Sequence, residues 1–184
     1  MVPGRTDLQP SDDDGAWIGG TIYDPSSDIG CGHGCTLTRA AGALPDGFVA
    51  GVDVSEDMVR MATRRNAALV RSARVEVRRA DSCRLPYPNQ RFDKVCAVHV
   101  LYFWSDPVAH LREIHRVMKP GARLVLGFRP NSDARAVADL PASVYRFYAP
   151  DDVMALLGTI GFTSQRAVVP GGTSRQVVFV VAGR

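Results

Sequence analysis

The sequence is short of lysine, of long apolar runs and of paired cysteine motifs, and each shortage removes a class of function. Lys94 and Lys119 are the two lysines among 22 basic residues; the remainder are arginines. With a net charge of +3, that bias points to base composition rather than to a binding surface. Aromatics make up 8% of the chain and none are interleaved with a basic block, so nucleic acid is not an expected partner. No apolar run reaches the length of a membrane span, and no apolar core follows a basic start at the Met1 end. A soluble, cytoplasmic protein with no membrane partner is expected; its oligomeric state stays open. The four cysteines, Cys31, Cys35, Cys83 and Cys96, form no Cys-x-x-Cys pair. Cys31, His33 and Cys35 could be drawn as a metal site, but they alternate with glycines in a tight loop and lack an obvious fourth ligand, so no metal is expected. No internal repeat or second domain is visible. At 184 residues, 46% of them hydrophobic, the chain suits one domain that buries roughly 70% of its unfolded surface.

What the chain does have is a loop of alternate glycines, Asp28-Ile29-Gly30-Cys31-Gly32-His33-Gly34, and an acid beyond it, Asp53. Glycines at alternate positions let a backbone turn tightly and touch a ligand that side chains would hold off. The run 35–44 can form a helix, and Phe48-Val49-Ala50-Gly51-Val52 reads as a buried strand delivering Asp53 at its C-terminal end. In a doubly wound sheet this sets a carboxylate beside the loop, able to accept from ribose hydroxyls. The pattern is a nucleoside-binding half site.

Residues 1–20 hold proline, Asp12-Asp13-Asp14 and several glycines, and read as a flexible lead into a domain over 21–184. A glycine loop of this kind should follow a near-continuous apolar strand. Here Thr21-Ile22-Tyr23 is interrupted by Asp24-Pro25-Ser26-Ser27, so the first strand is expected to be short or frayed. Next comes a helix over 55–68, with Ser55 as N-cap and Met58, Val59 and Ala62 at helical spacing. A strand over 74–78 leads to Asp81, a turn covers 85–89, and a strand over 94–98 ends at His99. Pro107 opens a helix over 107–118, with His110 expected at the surface and His115 in the packing; Lys119-Pro120-Gly121 ends it. A strand over 123–128, a helix over 150–160 and strands over 163–169 and 176–181 follow. Alternating strands and helices imply an α/β fold with a mostly parallel, doubly wound sheet. Pro170-Gly171-Gly172-Thr173 is too short for a crossover, so the last two strands must pair antiparallel.

Over about residues 28–181 these motifs resemble the core of class I S-adenosylmethionine-dependent methyltransferases, in the small-molecule branch. The glycine loop matches the family's acidic-x-Gly-x-Gly-x-Gly pattern, and Gly51-Val52-Asp53-Val54-Ser55 with Met58 matches its ribose-binding strand end. Ala80-Asp81-Ser82 and Leu85-Pro86-Tyr87 match its adenine side, and Phe92-Asp93-Lys94-Val95 the lead into its fourth strand. Arg116-Val117-Met118-Lys119-Pro120-Gly121 and Gly161-Phe162 match later corners. The resemblance implies a seven-stranded sheet with an antiparallel final strand, S-adenosylmethionine as cofactor and a small-molecule methyl acceptor. It implies that Gly30, Cys31, Gly32 and Gly34 approach the cofactor's methionine part, with Asp28 directed to its ammonium or tying down the loop. Asp53, followed by Val54, holds the ribose hydroxyls; Asp81 and Ser82 meet adenine, and Met58 packs on its face. Family members open with one or two helices and a clean apolar strand, which 15–27 replaces here.

His99 ends an apolar strand at the sheet edge where ligands of such folds bind, and Tyr102, Phe103 and Trp104 follow at once. These rings either pack the next helix or line an acceptor pocket with His99, which is also placed against the cofactor. His99 and Tyr102 are the expected catalytic pair, with His99 the base if the acceptor must lose a proton. The connection 131–148 is long enough to serve as a lid. Two other readings stay open. A nicotinamide oxidoreductase would also use glycines and a ribose acid, but would space the third glycine one residue further and leave Asp81 unexplained. A methyltransferase fold with an impaired pocket would serve in binding or regulation.

Overall fold

The computed structural model describes residues 26–168 and 177–184. The expectations for residues 1–20 and for the connection at 170–173 lie outside them. In chain order the elements are β1 (Ser26–Ile29), α1 (Cys35–Ala43), β2 (Val49–Asp53), α2 (Glu56–Arg65), α3 (Ala67–Arg71), β3 (Val75–Arg79) and β4 (Phe92–Val98). A 3-10 turn (Leu101–Phe103), α4 (Pro107–Val117), β5 (Met118–Phe128), α5 (Ala134–Asp139), α6 (Pro150–Ile160), β6 (Thr163–Val168) and β7 (Val178–Gly183) follow. The strands form one sheet in the order β3-β2-β1-β4-β5-β7-β6. β1 to β5 run parallel, and β7 is antiparallel to both of its neighbours.

Both faces of this sheet are covered, and β2 displays the reason. Successive strand residues point to opposite faces. Val49 joins Leu37, Ala40, Ala41 and Ala62 of the helices α1 and α2, whereas Ala50 and Val52 join Ile29, Leu111, Ile114 and Leu157 in the larger core. Helix starts are set by local chemistry: the Ser55 side chain accepts from the Met58 N–H, and the Asp106 side chain caps α4 ahead of Pro107. Among the described residues no helix is long and apolar enough to cross a membrane.

Four local expectations need correction. Ser26 and Ser27 do not interrupt the first strand; they form it, paired with Val49 and Ala50 on one side and Lys94 and Val95 on the other. All four described residues of the strand are buried, and the expectation for 21–25 lies outside the described residues. The 55–68 helix is two, broken at Asn66, which caps one and opens the next. Lys119-Pro120-Gly121 lies within β5 rather than beyond a helix end, because Met118 already pairs with Phe92 before the register shifts. The 131–148 connection carries a short helix, α5, capped by the Asp133 side chain.

Candidate active site

The chain passes from β1 to β2 on one side and to β4 on the other, so the C-terminal ends of β1 and β4 border the crevice where ligands of open α/β sheets bind. A cavity of about 620 Å³ occupies that place. Its walls come from Ile29 and Gly30; from Val52, Asp53 and Val54; from Ala80, Asp81 and Ser82; and from Val98, His99 and Val100. Phe103, Trp104, Ser105 and His110 complete them.

The glycine loop is tied to the end of β2. Gly30 and Cys31 N–H groups both donate to the Val52 carbonyl, at 2.8 and 3.0 Å. Gly30, Gly32 and Gly34 have φ of +71°, +51° and +81°, a region that suits glycine. Their neighbourhoods differ. A Cβ on Gly30 would stand 2.2 Å from Val100 Cγ1, and one on Gly34 would stand 2.7 Å from Asn66 Nδ2 and 2.8 Å from Ala62 Cβ. Among the described residues, a Cβ on Gly32 would meet nothing within 4 Å. Asp53 joins loop and strand: one carboxylate oxygen accepts from Gly32 N–H and the other from Ser55 N–H, each at 2.9 Å. Buried Asn66 fixes the far end, donating to the Gly34 and Ala62 carbonyls at 3.0 Å and accepting from the Thr38 hydroxyl at 2.7 Å. Sequence reasoning missed Asn66, and its signal was a polar residue inside an otherwise helical run.

Asp28 sits in β1 with its register partners Gly51 and Cys96 on either side, and is 6% exposed. Burial, and then the Asp53 charge, push its carboxyl up to about 7. Burial likewise pushes the Cys31 thiol up to about 12, with the Asp28 and Asp53 charges adding to it. The Cys96 thiol is raised the same way, first by burial and then by Asp28. The Cys31 and Cys96 thiols hold their protons, so neither offers thiolate chemistry.

Across the cavity, Asp81 is exposed and accepts from the Cys83 N–H at 3.0 Å, the main reason its carboxyl stays below the usual range. Ser82 is buried, with its hydroxyl 2.7 Å from His110 Nδ1. The His110 ring lies on Trp104, centroids 4.8 Å apart and planes 5° apart. Expected at the surface, His110 is instead 8% exposed, and that burial holds its pKa below the ordinary histidine value. His115 packs as expected, edge-on to Phe162 at 4.9 Å.

His99 leaves the sheet with φ +58°, rare for a residue other than glycine, and stands exposed on the cavity wall. Its Nδ1 is 3.0 Å from the Tyr102 hydroxyl. Tyr102 is not on the wall. It is buried behind His99, where its hydroxyl also accepts from the Arg129 N–H at 2.5 Å. Burial pushes the phenol up to about 12, so it keeps its proton. The Tyr102 ring packs on Phe147 and Tyr145, with centroids at 5.6 and 5.8 Å, and Phe103 meets Tyr145 at 5.0 Å. These rings hold down the 131–148 connection, whose base is closed by the Asn131 N–H on the Tyr148 carbonyl at 3.0 Å. Of the expected site residues, Asp53, Val54, Asp81, Ser82, Gly30 and His99 line one cavity. Cys31, Gly32, Gly34, Met58, Asp28 and Tyr102 stand outside its lining, Met58 on the first turn of α2.

A family model described as a methyltransferase domain matches residues 27–126. The 27-O-demethylrifamycin SV methyltransferase of Amycolatopsis mediterranei (strain S699) is 34% identical over 148 residues, covering 76% of this chain and 54% of that protein. The demethylmenaquinone methyltransferase of Symbiobacterium thermophilum is 37% identical over 99 residues, covering 53% and 39%. The chain thus spans about half the length of the curated relatives it matches. A crystal structure of an S-adenosylmethionine-dependent methyltransferase from Aquifex aeolicus superposes with a TM-score of 0.74 at 25% identity, covering 87% of this chain and 81% of that one. With more than half of its length matched by the family model, and the loop, strand order and crevice in agreement, this chain belongs to the methyltransferase domain family, among the class I S-adenosylmethionine-dependent methyltransferases.

Proposed function

We propose that the chain moves a methyl group from S-adenosylmethionine to a small-molecule acceptor, as a single cytoplasmic domain over 21–184 with neither nucleic acid nor membrane as partner. The observation that carries the reading is the cavity at the switch point with the Asp53 carboxylate on its wall beside the glycine loop. The residues present fit the cofactor. The volume, about 620 Å³, falls in the usual range for small-molecule sites, about 300–1,000 Å³. Asp53 and Asp81 place acceptors on two walls, and Val54, also on the lining, is a 62% exposed apolar side chain. The rifamycin and menaquinone relatives are named for small-molecule acceptors, which supports the same class here. The seven-stranded form of the sheet belongs to this reading and is supported by the strand order.

When bound, the cofactor supplies an electrophilic methyl group on a sulfonium; the protein's work is to bind, orient and exclude water. Orientation alone can lower such a barrier by roughly 7–11 kcal/mol. Gly32 leaves open space where any side chain would intrude, and Asp53 takes ribose hydroxyls as a charged acceptor. If the acceptor must lose a proton, His99 takes it on Nε2 while its Nδ1–H donates to the Tyr102 oxygen. Tyr102 is then a positioning residue, not one that touches the acceptor.

Calorimetric titration of the purified chain with S-adenosylmethionine, and separately with a nicotinamide dinucleotide, tests the reading. S-adenosylmethionine is expected to bind and the dinucleotide not, and Asp53→Ala is expected to cost about 2–3 kcal/mol of affinity for lost charge-assisted hydrogen bonds. No binding of S-adenosylmethionine at millimolar concentration overturns it, and binding of the dinucleotide alone would turn the assignment to hydride chemistry.

A further inference from the structure

Asp81, Cys83 and His110 bring a carboxylate, a thiol and an imidazole to one spot, with their ligand atoms all within 4.8 Å of one another. Two of them share a turn. Its geometry is held by the Arg84 N–H on the Asp81 carbonyl at 2.9 Å and the Cys83 N–H on the Asp81 carboxylate at 3.0 Å. The third arrives from α4 and is held in place: Trp104 lies against the His110 ring, and Asp81 Oδ1 is 3.6 Å from its Nδ1. The buried imidazole is therefore a fixed anchor, while the exposed Asp81 and Cys83 side chains can close on it.

We propose that Asp81, Cys83 and His110 form a binding site for a borderline-soft divalent cation of the Zn²⁺ class, and that this cation and S-adenosylmethionine exclude one another. One sulfur, one nitrogen and one carboxylate oxygen suit Zn²⁺, whereas Mg²⁺ and Ca²⁺ favour shells of oxygen. Zn–S and Zn–N bond lengths put tetrahedral ligands about 3.3–3.6 Å apart, so the three ligand atoms close by up to about 1.5 Å and water takes the fourth position. On binding, the Cys83 S–H bond breaks, its proton goes to buffer, and sulfur bonds the metal. His110 gives the Nδ1 lone pair in place of its contact with the Ser82 hydroxyl, and no oxidation state changes. Asp81 and His110 also line the cofactor cavity, so a cation here takes the carboxylate assigned to adenine. The exclusion, though not the metal site, rests on the methyltransferase reading above.

Co²⁺ and Zn²⁺ titrations of the whole chain test both parts. Co²⁺ is expected to bind one to one with a thiolate-to-cobalt charge-transfer band, and Zn²⁺ to displace it. Cys83→Ser, at an exposed position, is expected to abolish the band, and His110→Gln to weaken binding by at least about tenfold. Should His110→Gln fail to fold, Cys83→Ser decides alone. Absence of the band, or a band that survives in Cys83→Ser, overturns the site. Saturating Zn²⁺ is expected to weaken S-adenosylmethionine at least tenfold in the native chain and to have no such effect in Cys83→Ser. An unchanged affinity overturns the exclusion. If S-adenosylmethionine fails to bind even without metal, the methyltransferase reading falls, and the cobalt band still decides the site.

Discussion

The three glycines of the loop have different work, which single substitutions should separate. At Gly30 an added methyl meets Val100 Cγ1 at 2.2 Å on top of a positive φ, so Gly30→Ala is expected to cost about 2–4 kcal/mol of stability. At Gly32 only the positive φ opposes it, so Gly32→Ala is expected to cost about 1–2 kcal/mol of folding while weakening the cofactor sharply. Urea unfolding and calorimetry measure the two, and combining Gly30→Ala with Val100→Ala should restore part of the first loss. Asp28 makes a pH prediction. Its folded value, about 7, lies above the ordinary 3.8, so the folded chain keeps a proton that the unfolded chain releases. Stability from this group is therefore highest below about pH 4, falls by about 1.4 kcal/mol for each pH unit across the window, and levels off above about pH 7. Asp28→Asn should flatten that part of the profile and raise the urea midpoint at pH 8 more than at pH 5. Equal gains at both values would contradict the assignment.

At the scale of elements, β1 is the most polar strand in the most covered position. Ser26 and Ser27 are buried, and among the described residues their hydroxyls have no hydrogen-bond partner. An unsatisfied buried hydroxyl costs about 1–3 kcal/mol, so Ser27→Ala is expected to raise stability by about 1 kcal/mol in urea unfolding. No change, or a loss, would mean that the hydroxyl is satisfied. The same strand marks where sequence reasoning fails. Strands β2 and β4 were legible because their own residues are apolar, whereas β1 owes its burial to its neighbours. Pairing on both edges fixes four residues that composition would assign to a loop. α5 was missed for another reason: at six residues it is too short for periodicity to register. In the site, Asp53 was legible because loop, helix, strand and acid follow in order. His110 and Asn66 were not, because their partners lie far along the chain: 28 residues separate Ser82 from His110, and 32 separate Gly34 from Asn66.

For the molecule as a whole, the order β3-β2-β1-β4-β5-β7-β6 brings the C-terminal ends of β1, β2 and β4 together, and Ile29, Gly30, Asp53, Val98 and His99 line the cavity there. That explains why a domain match ending at residue 126 still contains the cavity's walls, all of which come from residues 29–110. One of those walls has an optical consequence. Trp17 and Trp104 are the two tryptophans of the chain. Trp104 is 5% exposed, lies flat on an imidazole and borders the cavity. Indole emission responds to the groups packed against the ring, so a change in that stack or in the cavity beside it alters fluorescence. In a Trp17→Phe variant all tryptophan emission belongs to the cavity wall, and the molecule carries its own dye-free sensor of occupancy. S-adenosylmethionine should change that emission along the same curve that calorimetry gives, and Asp53→Ala should move both curves to higher concentration together. A flat emission trace beside a clear heat signal would show that the Trp104–His110 stack lies outside the occupied part of the cavity.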